Sequence, residues 1–453
     1  MKIFPDTKVY VLCPANYHSG GPELCHQLAS QLISFGVEAY MLYLFNVNSP
    51  ANTSDPVHDA LKKYHVPYVL KCDDSPNNIV VVPETITTIG FYSVKNCRHV
   101  LWWMSVNNFL SNITNALQCH LNNPLAEPMP KFFKFDTEDN DTVHFVQSEY
   151  ARQFVKLNGI ADDKIFMVED YLNQEFLSGA AHVDLTAKKN IVAYNPKKGF
   201  EITEHLIKLA PDIDWRPIKG MTPAQVQNLL AQAKVYIDFG SHPGKDRIPR
   251  EAAISGCVVI TGKRGAAAND IDINIPAEFK FNERAIDGQP VIKKIREVFD
   301  NFAAAYAKQA DYRARILDDK NRFTKEVAEA FELENFPPPT VALVQGVCEK
   351  SFLLAEELLQ GNDFTPSFIV DDELATAKIS DELIMRYQNR NYLRVGEYFI
   401  EVITRNDAKF LYREGRIKKF MLLEPTADEF AAVNDFYAPN VADVLNVERI
   451  SAD

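Results

Sequence analysis

The sequence predicts an α/β protein built from two tandem Rossmann-like parallel-sheet domains facing a cleft, followed by a C-terminal α+β extension. Three observations carry that reading. The first is KVYIDFGSHPGKDRIPREAAISGCVVITG (Lys234 to Gly262), which runs strand, charged loop, helix, strand in one short stretch. The second is a strand, loop, helix, strand unit near the start of the chain, at residues 8–44. The third is length: 453 residues exceed what one hydrophobic core organises and imply two or three domains.

Taken in order, residues 8–15 (KVYVLCPA) are a short apolar run, as a strand buried on both faces requires. The loop NYHSGGP leads into a helix over ELCHQLASQLISFG, where Leu24, Leu28, Leu32 and Ile33 share one face and Gly36 ends the run. Val37 to Leu44 is the second strand, and such a unit is parallel and right-handed. Apolar runs from Ile79 to Val82, Val100 to Trp103, at Phe145 and Val146, and from Ile165 to Val168 extend the first domain, assigned to residues 1–175.

A second domain, residues 176–335, opens on a strand from Ile191 to Tyr194. Helices follow over Gly199 to Leu209 and Pro223 to Ala233. Val235 to Phe239 is then a strand, and Pro249 suits the first turn of a helix that stops at Gly256 before a strand from Val258 to Ile260. Residues 336–453 form the extension. FPPPT reads as a linker, Val341 to Leu359 has helical character, and Tyr398 to Thr404 with Lys409 to Tyr412 resemble a hairpin turning at Asn406 and Asp407.

Hydrophobic residues make up 46% of the chain and aromatics 11%, the composition of a well-packed globular protein. A net charge of −13 argues against a general nucleic-acid binder, so an anionic ligand must meet a local basic pocket. The seven cysteines are scattered, which gives neither a zinc nor a disulfide framework and points to a reducing cytoplasm. No apolar stretch approaches the roughly 20 residues that span a bilayer. Surface contact with a membrane stays open.

The charged loop concentrates His242, Lys245, Asp246, Arg247 and Arg250 beside a strand end. Ligands of parallel sheets sit at the carboxyl ends of strands, and helix N-termini there favour anions, so the loop points to a phosphorylated ligand. No G-x-G-x-x-G follows the first strand, which weakens a dehydrogenase reading.

Three segments resemble glycosyltransferases of the GT-B fold, closest to the family-4-like group of bacterial surface-polysaccharide enzymes. SGGPELCHQLASQLISFG (Ser19 to Gly36) is similar to the glycine loop and first helix of that group. NPKKGFEITEHLIKLAP (Asn195 to Pro211) resembles the segment whose lysine contacts the donor diphosphate, and REAAISGCVVITG (Arg250 to Gly262) resembles the donor-site helix and strand. The resemblance covers roughly residues 8 to 285. It departs from the group where Pro243 stands eight before Glu251, in place of a first glutamate, and where Tyr194 and Asn195 replace an arginine.

The resemblance implies a nucleotide-sugar donor held by the second domain and a glycan or lipid-linked acceptor held by the first. It also implies no metal or other cofactor, since fixed cations and helix N-termini stabilise the departing phosphate. Lys198, Lys245, Arg247 and Arg250, with Gly20 and Gly21, are the donor-binding candidates. Lys198 is otherwise a solvated helix-start lysine, Arg250 otherwise half of a salt bridge, and the glycines otherwise a tight turn.

Glu251, counted among the catalytic candidates, stands where the resemblance implies a carboxylate that holds the donor ribose, or else only favours its helix dipole. Asp238 interrupts an apolar strand and either serves as base, nucleophile or charge stabiliser, or caps the following loop. His242 lies beside it and is a further catalytic candidate, against an incidental role. His18, Glu84, Trp103 and Asn107 are acceptor-side candidates, against incidental or core roles. Two rival functions remain at this level: a nucleotide-sugar epimerase, and a non-catalytic sugar- or nucleotide-binding protein.

Overall fold

The computed structural model describes residues 1–333, apart from 5–6, 45–54, 88–92, 126–131, 136–140, 174–175, 179–182 and 283–286; beyond 340 it describes the backbone of the strands named below. The chain divides into two compact units, residues 1–33 with 37–334, and residues 34–36 with 335–453.

In the first unit, β1 (Lys8–Pro14), β2 (Glu38–Leu44), β3 (Tyr68–Val69), β4 (Ile79–Pro83), β5 (Arg98–Trp103), β6 (Val143–Val146) and β7 (Ile165–Met167) form a parallel sheet in the order β3-β2-β1-β4-β5-β6-β7. β1 lies between β2 and β4 and is buried along Val9, Tyr10, Val11, Leu12 and Cys13, which explains its unbroken apolar run. Helix α1 (Gly20–Ser34) buries Leu24, Leu28 and Leu32 against this sheet. It starts earlier than the apolar periodicity suggests, so Gly20 and Gly21 belong to its first turn. Helices α2 (Val106–Asn122) and α3 (Glu149–Leu157) start at Ser105 and Ser148, whose hydroxyls accept the N–H groups of Asn108 and Ala151.

The second sheet has the order β11-β10-β8-β9, with β8 (Lys189–Tyr194), β9 (Asp214–Pro217), β10 (Ala233–Asp238) and β11 (Val258–Thr261) all parallel. Around it lie α4 (Phe200–Leu209), α5 (Pro223–Gln232), α6 (Arg247–Ile254) and α7 (Gln289–Asp300). α6 begins at Arg247, two residues before Pro249, because Asp246 takes the extended cap position; Pro249 remains in the first turn, where its missing N–H costs nothing. Gly256 ends the run at φ +83°, a conformation that favours glycine. Short helices α8 (Phe302–Ala307) and α9 (Ala310–Leu317) follow, and α10 (Asp319–Ala330) returns to the first sheet and packs on β7.

The second unit carries β12 (Val341–Gln345), β13 (Thr365–Val370), β14 (Ile384–Tyr387), β15 (Arg390–Val395), β16 (Tyr398–Thr404), β17 (Ile417–Leu423) and β18 (Asn446–Ile450), in the order β14-β15-β16-β13-β12-β17-β18. β16, β13, β12, β17 and β18 run parallel, and β14 and β15 add an antiparallel edge. Val341 to Gln345 is therefore a strand where helical character was expected. A short apolar run fits either element, and here it has strand partners on both sides. Tyr398–Thr404 finds its antiparallel partner in Arg390–Val395; the expected partner, Lys409 to Tyr412, lies outside the described residues. Among the described residues, no helix is long and apolar enough to cross a membrane.

Candidate functional site

The carboxyl ends of the two sheets of the first unit meet. Gly244, after β10, sits so close to Met104, after β5, that a Cβ there would lie 2.1 Å from the Met104 carbonyl oxygen. The Val106 N–H donates to the Pro243 carbonyl at 3.2 Å. Asp272, on the second-domain side, accepts the N–H groups of Glu149 and Tyr150 at 2.7 and 3.0 Å and so caps α3 of the first domain. These contacts bring the charged loop against the start of α1.

Within that loop, Asp238 is buried and both its oxygens are engaged: Oδ1 accepts the Gly240 N–H at 2.8 Å and Oδ2 the Tyr236 hydroxyl at 2.9 Å. It caps the loop. His242 is fully buried with a left-handed backbone, φ 42°, and its Nδ1 stands 3.3 Å from Asp246 Oδ2 while its Nε2 stands 3.5 Å from Asp238 Oδ1. Burial opposes its protonation, yet Asp246 and Asp238 on either side raise its pKa above the ordinary value. Lys198 Nζ donates to Asp246 Oδ1 at 2.5 Å. The turn that delivers Lys198 depends on Gly199, at φ +61°, where a Cβ would fall 2.2 Å from the Phe239 carbonyl oxygen.

Neither Asp238 nor His242 presents a side chain to the cleft, which corrects their expected direct catalytic roles. Asp238, His242 and Asp246 offer ligand atoms within 4.8 Å of one another, the grouping among the described residues that could hold a metal ion. The two imidazole nitrogens, however, face different carboxylates, and Lys198 already holds Asp246. Nε2 also lies 3.3 Å from the Asp238 main-chain carbonyl, while Nδ1 and Asp246 Oδ2 make no well-aligned hydrogen bond among the described residues, so charge attraction holds the imidazole between the two aspartates.

Lys245 and Arg250 are likewise corrected. Arg250 is 1% exposed and donates through Nη2 to both oxygens of Asp170 at 2.7 Å and through Nη1 to Asp319 at 3.1 Å. Lys245 donates to Glu169 and to Asp319, and Arg315 and Arg322 complete the network. Four cations from the loop, α6, α9 and α10 thus grip the segment that leaves β7, with Asp319 shared among three of them. They are taken up by buried ion pairs, which fix the loop instead of meeting a ligand.

The cleft itself keeps Arg247, Lys198 and Glu251. Arg247 donates to Glu23 Oε2 across the cleft and stands 3.4 Å from Asp170 through Nε. Glu251, on the first turns of α6, has no hydrogen-bond partner for its carboxylate among the described residues; burial raises its pKa against the pull of Arg247 and Arg250. Gly20 lies beside Arg247, with a would-be Cβ 3.8 Å from Nε, and Gly21 lies 3.6 Å from Met104 Sδ by the same measure, so the start of α1 does line the cleft.

Of the acceptor-side candidates, His18 is open to the cleft mouth and stacks on His58 with centroids 5.3 Å apart. Asn107, on α2, accepts the Tyr150 hydroxyl at 3.2 Å. Glu84 is buried, accepts the Met104 N–H at 3.0 Å, and has its pKa pushed up to about 7 by burial. Its place is beneath the Met104 loop. Trp103 is a correction: the ring is wholly buried against Phe109, Phe135, Phe154 and His144, and Nε1 donates to His144 Nδ1 at 2.9 Å. Its bulk belongs to the core.

Sequence reasoning missed Glu169, Asp170 and Asp319, and also Lys63 and Tyr64, which attend Glu23. Glu169 and Asp170 did carry a signal: two adjacent acids just after the apolar run from Ile165 to Val168.

The ionic hub sets a pH dependence. Burial alone would raise Glu169 and Asp170, but Lys245 and Arg250 hold both at about 2, against ordinary values of 4.5 and 3.8. Depressed carboxylates give stability that is complete above the ordinary value and is lost as pH falls toward 2. Glu84 and Glu326, raised by burial to about 7, act oppositely and lose their contribution as pH rises from 4.5 to 7. Urea midpoints are therefore expected to peak near pH 5 and fall on both sides; a flat profile from pH 3 to 7 would count against the hub.

No protein-family model and no curated protein matches this sequence. Solved structures do. Sucrose-phosphate synthase of Thermosynechococcus elongatus is similar with a TM-score of 0.50 and 11% identity, over 72% of this chain and 98% of that one. HepE of Anabaena in complex with UDP-glucose is similar with a TM-score of 0.47 and 11% identity, over 71% and 98%. With two parallel sheets whose carboxyl ends face each other, the chain has the GT-B glycosyltransferase fold.

Proposed function

We propose that the protein transfers a sugar from a nucleotide-sugar donor to a glycan or lipid-linked acceptor, without a metal, in the assembly of a polysaccharide or glycoconjugate. One observation carries the reading: Arg247 and Lys198 flank the start of α6 while the Glu251 carboxylate, a few residues on, lacks a hydrogen-bond partner among the described residues. Cations suit a diphosphate, and an acceptor-only carboxylate suits a pair of ribose hydroxyls.

In this scheme Lys198 and Arg247 bind the diphosphate and balance the charge that develops as the sugar leaves. Glu251 orients the nucleoside. Asp238, His242 and Asp246 act indirectly, by holding Lys198 at the strand end. The start of α1 and His18 form the acceptor side. Cytoplasmic action, with surface contact to a membrane when the acceptor is lipid-linked, completes the proposal.

The test is a thermal-shift screen with UDP, GDP, ADP, dTDP and CMP, followed by product analysis with the sugar form of the nucleotide that binds. A ligand at a hundred times its Kd adds about 2.7 kcal/mol of stability, so a true donor nucleotide raises Tm clearly. No shift with any nucleotide would sink the proposal. Turnover of a free nucleotide sugar with no acceptor would move it to an epimerase.

A further inference from the structure

Arg247 is the cation of the cleft that a diphosphate would most need, and a carboxylate of this chain already occupies it. Arg247 Nη1 donates to Glu23 Oε2, and Nη2 lies 3.5 Å from the Gly20 carbonyl oxygen. Glu23 is shared. Its Oε1 accepts the Tyr64 hydroxyl at 2.8 Å and stands 3.2 Å from Lys63 Nζ. His18 Nε2 lies 3.9 Å from Oε2, with its side chain 43% exposed. An anion is thus held among two fixed cations, a hydroxyl and the first turn of a fifteen-residue helix.

We infer that Glu23 is a positioning residue that holds Arg247 across the cleft until a diphosphate displaces its carboxylate from the guanidinium. The inference rests on the donor reading above and adds the group that the ligand must exchange for. Two features make the exchange feasible. When Arg247 changes partner, Glu23 keeps Lys63 and the Tyr64 hydroxyl, so no buried carboxylate is left without a counter-charge. His18 stands beside the oxygen that is released. The guanidinium also stays anchored, because its Nε remains near Asp170 while Nη1 turns to the phosphate.

The exchange makes affinity for a diphosphate depend on Glu23 in a direction that a purely structural residue would not produce. Replacing the carboxylate with a neutral amide removes the competitor but keeps the shape. Inorganic pyrophosphate and UDP are the probes, titrated calorimetrically into the full chain. For Glu23→Gln both are expected to bind roughly tenfold more tightly than to the natural protein, since a neighbouring negative charge is gone. Lys63→Gln is expected to act oppositely: Glu23, short of one cation, clings to Arg247 and the ligand binds more weakly. The double variant should match Glu23→Gln alone if Lys63 acts through Glu23.

Unchanged or weaker binding in Glu23→Gln overturns the inference, and if that variant does not fold, unchanged or tighter binding in Lys63→Gln does so. Failure of the donor reading looks different. Pyrophosphate tightened by Glu23→Gln with no preference for UDP keeps the exchange and removes the nucleotide. UDP bound by the natural protein and not tightened keeps the nucleotide and removes the exchange. Binding of neither probe to any of the proteins removes both.

Discussion

Arg250→Met is expected to cost about 3–5 kcal/mol of stability, a large share of the roughly 5–15 kcal/mol that holds a typical protein folded. The guanidinium donates to both oxygens of Asp170 and to Asp319, and all three side chains are about 1% exposed. Methionine fills the space but leaves two carboxylates in a dry interior with fewer counter-charges. The cost is the desolvation of orphaned charge, which exceeds anything the pair itself contributes. Arg250→Lys should recover only part, because one ammonium cannot reproduce a planar fork across Asp170 and Asp319. Urea unfolding measures both variants. A loss below about 1 kcal/mol for Arg250→Met would place the strength of the domain junction elsewhere.

Lys198→Ala is expected to lower transfer about 100-fold or more while leaving Tm nearly unchanged. The side chain is 34% exposed and its partner Asp246 keeps the His242 imidazole, so little buried charge is orphaned. What goes is a cation at the place where the leaving diphosphate gathers charge. The split between large kinetic and small thermal effects is the diagnostic part. Steady-state kinetics with the donor found by the nucleotide screen reads it, and near-normal kcat would remove Lys198 from the chemistry. Arg250→Met should show the reverse pattern, with its loss of activity following its loss of folded protein.

These two variants also mark how far the sequence could be read. Most strands of the first two domains, and helices α1, α4, α5 and α6, were legible because parallel strands buried on both faces are short unbroken apolar runs and glycine or proline punctuates many of them. β1 and β10 illustrate this directly. By contrast β3, β9 and helices α2, α3 and α7 to α10 were not read from the sequence. The strand at Val341–Gln345 was not legible either, since four apolar residues in a row carry no period of their own and only the partners on either side decide the element.

Among the site residues, the cations of the charged loop looked alike in sequence, yet the fold sorts them. Lys245 and Arg250 turn inward to Glu169, Asp170 and Asp319, while Arg247 stays at the cleft with Lys198, which comes from the turn before α4. That sorting depends on partners far away in the chain: Asp170 lies 80 residues from Arg250, and Glu23 lies 224 from Arg247. Charge spacing within the loop contains none of that information. Asp238 shows the converse, since capping of the following loop was one of the two readings open for a strand-end aspartate, and the Gly240 N–H realises it.

The return of α10 to the first sheet has a consequence for how the protein is made. Thr324 of α10 donates to Gln31 of α1, 293 residues earlier, and Phe331 just beyond the helix packs edge-on against Phe145 of β6 with ring centroids 5.4 Å apart. The sheet that leaves the ribosome first therefore waits for a helix synthesised after the whole second domain. At roughly 5–20 residues per second that delay lasts many seconds, during which the β6–β7 side of the sheet lacks its cover. The later domain can close before the earlier one, so the order of synthesis and the order of completion run in opposite directions.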